Sequence, residues 1–128
     1  MATVRHHIEI ARPPDDVWGV IRDVGAIADW WPSMVASAAV DGGRTCDLAS
    51  GITLREETVT CDDNLRRFQY RLAEGVPVES HLATVDVIPS GTGSLVIYST
   101  DVEPPAIAMV LDGPILEALA ELKAQLEG

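Results

Sequence analysis

Between Ser33 and Glu103 the chain is a succession of short runs rich in Val, Ile, Leu, Thr and aromatic residues, punctuated by turn clusters. The clusters are Asp41-Gly42-Gly43, Ser50-Gly51, Asp62-Asp63-Asn64, Glu74-Gly75-Val76-Pro77 and Pro89-Ser90-Gly91-Thr92-Gly93. They separate six runs that begin near Met34, Thr45, Ile52, Leu65, Val78 and Ser94. Gly, Pro, Asn and Asp supply the backbone conformations of tight turns. Connections this short join antiparallel neighbours, because parallel strands need a long crossover. The feature restricts the chain to a fold built on an antiparallel meander.

The flanks complete the pattern. Thr3 to Ala11 alternates with period two and reads as a strand. Arg12-Pro13-Pro14-Asp15-Asp16 stops it and opens a helix. Proline is tolerated in a first turn, where its missing donor has no partner, and the two aspartates complement the positive helix end. Val17, Trp18, Val20, Ile21 and Val24 give a helical stripe that Gly25 is expected to end, and Ala26 to Trp31 predicts a second short helix stopped by Pro32. The tail from Ala106 to Leu126 is helical, with Ile107, Val110, Leu111, Ile115, Ala118, Leu119, Leu122 and Leu126 on one face. Pro114 removes the bond to the Val110 carbonyl, a cost of about 3 kcal/mol inside a regular helix, which predicts a kink or restart there. Pro104-Pro105 closes the meander.

The result is an α+β domain in which a seven-stranded curved antiparallel sheet wraps around a long C-terminal helix, with two short helices between strands 1 and 2. Space left between a curled sheet and its helix is where a ligand would go. At 128 residues the chain is expected to form one domain over residues 1–128 with a core of its own.

Composition excludes several functions. Nine basic against 20 acidic side chains give a net charge of −11, which repels nucleic-acid phosphates and anionic membrane surfaces. No apolar run approaches the roughly 20 residues of a membrane span, and the alternating N-terminus, with Arg5, His6, His7 and Glu9, is no signal peptide. Cytoplasmic localisation follows as the expectation, with no nucleic-acid partner and no membrane insertion. Cys46 and Cys61 match no metal spacing and read as two small buried hydrophobes. Three scattered histidines make no metal motif, Gly91-Thr92-Gly93 sits in a hairpin and not in a phosphate loop, and Lys123 is the one lysine. No cofactor is expected. A homodimer is compatible with base rates.

Several segments together resemble the START-like (SRPBCC) superfamily, in its polyketide cyclase/dehydrase and lipid-transport branch. They are Ile8 to Pro32 with Pro-Pro-Asp-Asp-Val-Trp and Asp29-Trp30-Trp31-Pro32, then Glu57-Thr58-Val59 followed by Asp62. Gly91-Thr92-Gly93 ahead of Val96-Ile97-Tyr98, and the terminal Leu116 to Lys123, belong to the same set. The resemblance spans essentially the whole chain and implies a helix-grip fold whose deep cavity takes apolar or aromatic molecules. In this branch some members cyclise or dehydrate polyketides, and Trp31-Pro32 matches the tryptophan that the cyclases carry at the cavity mouth. Their catalytic tyrosine and arginine align with Ala38 and Thr58, so both groups are missing; a second cavity arginine has its counterpart in Arg71.

Alternation adds candidates. Ile52 and Leu54 mark an apolar face that would carry Glu56 and Thr58, and a buried carboxylate suits acid–base work. Phe68, Tyr70 and Leu72 share a face opposite Arg71, so pattern alone leaves Arg71 in water and only the resemblance turns it inward. His81 starts the face of Ala83, Val85 and Val87, either to move a proton near neutral pH or as a hydrogen-bonded core residue. Tyr98 should present its ring to the cavity, and Met109 lies near the expected helix kink.

The reading is a small-molecule-binding domain. Trp31, Glu56, Thr58, Arg71, His81, Tyr98 and Met109 contact an apolar, aromatic or lipid-like ligand, and His81 or Glu56 are the candidates for any cofactor-free cyclisation or dehydration. Two alternatives stay open: a carrier or sensor without chemistry, and a protein-interaction module.

Overall fold

The computed structural model describes residues 1–128. The strands are β1 (Ala2–Ile10), β2 (Met34–Val40), β3 (Gly43–Leu48), β4 (Thr53–Asp62), β5 (Arg67–Glu74), β6 (Ser80–Ser90) and β7 (Gly93–Glu103). All seven lie in one sheet in the order β1-β7-β6-β5-β4-β3-β2, each pair antiparallel. The meander therefore zips consecutively from β2 to β7, and β1 closes on β7.

Helix α1 (Pro14–Ile21) follows β1, and Pro14, Asp15 and Asp16 form its first turn as expected. It stops at Ile21, one turn short of Gly25, and a 3₁₀ segment (Val24–Asp29) takes over. Gly25 is needed there for closeness: a Cβ would stand 2.7 Å from the backbone nitrogen of Ala39 on β2. Ser37 fastens the same contact by donating to the Gly25 carbonyl and accepting from the Ala28 N–H.

Helix α2 (Ala106–Glu127) packs on β1 and β7 and runs through Pro114 without the expected restart. Its inward residues Ile115, Ala118, Leu119 and Leu122 join Val4, Val87, Val96 and Val102 in the core. None of the helices is long and apolar enough to cross a membrane. Cys46 is buried as expected, whereas Cys61 is exposed near the end of β4. Burial pushes the Cys46 thiol up to about 12, so it stays protonated.

Candidate functional site

Where the sheet curls away from the first half of α2, a cavity of about 240 Å³ remains. Leu54, Leu72, Val76 and Met34 form its sheet side, Ile107, Val110, Leu111, Pro114 and Ile115 its helix side, and Trp31 part of its wall. Few polar side chains reach it, chiefly Glu56, Tyr70, His81 and Thr100. An apolar chamber with a small number of polar groups is the usual make-up of a small-molecule site.

Glu56 reaches the cavity from β4 while 97% of it is shielded from water (relative exposure 3%). Its partner is Arg44, which stands directly opposite on β3 and donates from Nε to Glu56 Oε1 at 2.7 Å. Arg44 is equally buried, donates to the Val24 carbonyl at 3.2 Å, and lies 4.9 Å from the Tyr70 ring centroid and 5.2 Å from that of Phe68. Burial alone pulls a guanidinium down, but Glu56 and the aromatic hydroxyls outweigh it and hold Arg44 above its ordinary pKa. Gly43 makes the pairing possible: a Cβ there would meet the Glu56 carbonyl oxygen at 1.9 Å. Sequence pattern found the carboxylate and missed its counter-ion, although an arginine directly after a Gly-Gly turn, one hairpin away, is the available signal.

His81 sits where the β5–β6 ladder opens. The two strands pair only over Arg67–Tyr70 and Ala83–Asp86. Beyond that, the Leu72 N–H donates to His81 Nδ1 at 3.0 Å, so the imidazole stands in for the missing strand partner. Burial pushes its pKa down to about 4. At neutral pH the ring is uncharged with Nδ1 occupied as an acceptor, which leaves its proton on Nε2. His81 is thus a fixed hydrogen-bond donor, and the expectation that it exchanges a proton near neutral pH gives way to that geometry.

Four expected contacts are not made. Tyr98 is fully buried but does not line the cavity; its hydroxyl is hydrogen-bonded to that of Tyr70, and its ring packs 5.8 Å from Trp31. Tyr70 takes its place in the wall because the face of Phe68, Tyr70 and Leu72 points inward. That same alternation leaves Arg71 exposed in an outer groove beside Glu79 and Asp101, against the inward placement the resemblance implied. Thr58 lies past the last β3–β4 pair, Gly43 with Glu57, and next to a register shift, and it is exposed in spite of its period with Glu56. Met109 is 83% exposed, because the helix turns Ile107, Val110 and Leu111 to the cavity instead. Trp31 is where it was expected, buried and lining the cavity, with its indole N–H held by Ser33 Oγ at 2.8 Å.

A family model described as polyketide cyclase / dehydrase and lipid transport matches residues 1–127. The chain belongs to this family. Among solved structures it is similar to the protein XoxI from Bacillus cereus, with 26% identity, 98% of this chain and 96% of that one covered, and a TM-score of 0.91. A START superfamily protein from Mycobacterium smegmatis shares the fold at 20% identity, over 98% and 97% of the two chains, with a TM-score of 0.77. Norcoclaurine synthase from Thalictrum flavum shares it at 20% identity, over 97% and 85%, with a TM-score of 0.75. No curated protein sequence matches the chain. The fold is therefore the helix-grip fold of START-like proteins.

Proposed function

We propose that this chain binds an apolar small molecule of one or two rings in the cavity between the sheet and α2, and does so as a binding protein. The observation that carries the reading is the 240 Å³ chamber with its aliphatic lining and few polar groups. An engineered cavity of about 150 Å³ in another protein holds one benzene. The present volume suits a fused bicycle or a molecule of similar bulk, and is too small to enclose a two-chain lipid. Binding is favoured over acid–base chemistry because Glu56 is ion-paired through Oε1 with Arg44 and His81 is fixed in one tautomer by the Leu72 amide.

Native mass spectrometry of the purified protein, followed by denaturing extraction and identification of what is released, tests the reading. A co-purified apolar molecule of this size supports it. An empty protein whose melting is unmoved by a panel of one- and two-ring compounds contradicts it.

A further inference from the structure

The two least adaptable polar atoms on the cavity wall specify what the ligand must carry. Glu56 uses Oε1 for Arg44, and no protein group donates to Oε2. The one fully enclosed side-chain oxygen or nitrogen without a partner is Ser80 Oγ, so Oε2 is not sealed in protein; since Glu56 lines the cavity, that oxygen opens on to it. A carboxylate oxygen accepts only. His81 likewise uses Nδ1 for Leu72 and has no protein partner for Nε2, which in this tautomer donates only; the half-buried ring borders both the cavity and the outer groove of Arg71. Hydroxyls such as Thr100 rotate to suit either role; these two atoms do not.

Charge narrows the class further. Glu56 is balanced by Arg44 at 2.7 Å, and the imidazole is neutral, so the polar wall has no net charge to offset an ion. A cation would meet the guanidinium behind Glu56, an anion the carboxylate itself, and either would be stripped of water.

Resting on the cavity-binding reading above, we propose that the ligand is an uncharged ring compound bearing both a hydroxyl or N–H donor, received by Glu56 Oε2, and an acceptor such as a carbonyl, served by the His81 Nε2–H. A ligand lacking the donor leaves Glu56 Oε2 dry and unpaired, and one lacking the acceptor forgoes the His81 bond. That is how a site built to hydrogen-bond a substrate group rejects the analogue without it.

Calorimetric titration of the full chain with indane, indanol, indanone, a series of hydroxyindanone isomers and the aminoindane cation tests this. One hydroxyindanone is expected to bind best, with each polar group strengthening binding roughly tenfold over indane. Leu at both positions of interest separates the contributions. In His81→Leu the preference for indanone over indane should collapse to near one, and His81→Gln, which retains an acceptor for Leu72 and an amide donor, should restore part of it. Arg44→Met with Glu56→Leu, which removes the ion pair as a unit, should abolish the preference for indanol. Equal affinity for indane and all its neutral derivatives overturns the proposal while leaving cavity binding intact, and so does tighter binding of aminoindane than of indanol. Binding of none of these probes overturns the cavity-binding reading and this proposal with it.

Discussion

Arg44 and Glu56 face each other across β3 and β4, and their ion pair of 2.7 Å is almost wholly removed from water. Two buried charges of this kind are held by each other, and the desolvation of each is tolerable only while the other is present. Arg44→Met should therefore destabilise the fold by about 3–5 kcal/mol in urea unfolding, whereas Arg44→Met with Glu56→Leu should lie near the parent. A double variant as unstable as the single one would mean that the pair supports the fold by more than mutual neutralisation.

Burial of His81 gives stability a pH dependence. The ordinary pKa of 6.5 applies in the unfolded chain and about 4 in the folded one, so the unfolded state binds more protons between these values. The contribution of His81 is complete above about pH 6.5 and is lost as pH falls toward about 4. Denaturation midpoints measured across that window should fall with decreasing pH, and His81→Gln should flatten the slope. An unaltered slope in the variant would place the titrating group elsewhere.

Tyr98 holds the Tyr70 hydroxyl without touching the cavity. Tyr98→Phe is expected to lower stability by about 1–3 kcal/mol, the cost of a buried hydroxyl left without its partner. Indane affinity, measured by calorimetry, should change less than twofold. A large loss of affinity would return Tyr98 to the wall.

Arg71, Thr58 and Met109 are solvent-facing. Arg71→Ala, Thr58→Ala and Met109→Ser should each leave indane affinity within twofold of the parent and stability within about 0.5 kcal/mol, the usual range for surface changes. A tenfold loss of affinity in Arg71→Ala would show that the groove beside His81 opens into the cavity in solution.

Most of the fold could be read from periodicity and turn chemistry. The six runs after Ser33 became β2 to β7, because their separating Gly, Asp and Asn clusters are local signals. The end of α1 was less legible: Gly25 is required by its approach to Ala39, a tertiary contact that looks in sequence like a helix stop. The site divides in the same way. Alternation placed Glu56 inward and Arg71 outward, and only the family analogy argued otherwise for Arg71. Thr58 failed because the register shift between Thr58 and Thr60 and the end of β3 break the period that pattern reasoning assumes. Arg44 was passed over because cross-strand pairing depends on hairpin register, and the tautomer of His81 depends on a gap in the β5–β6 ladder that no composition reveals.

Occupancy of the space between the sheet and α2 by a small apolar molecule can be read from an NMR titration of the ¹⁵N- and methyl-labelled protein with indane, beside Leu111→Trp. Leu111 lines the cavity from the helix, and a tryptophan there should fill it at an overpacking cost of about 1–3 kcal/mol. Saturable shifts concentrated on Leu54, Leu72, Ile107 and Ile115 are expected in the parent, with at least a tenfold weaker response in the variant. Shifts that are absent, or that fall on exposed side chains and persist unchanged in Leu111→Trp, would contradict binding in this cavity.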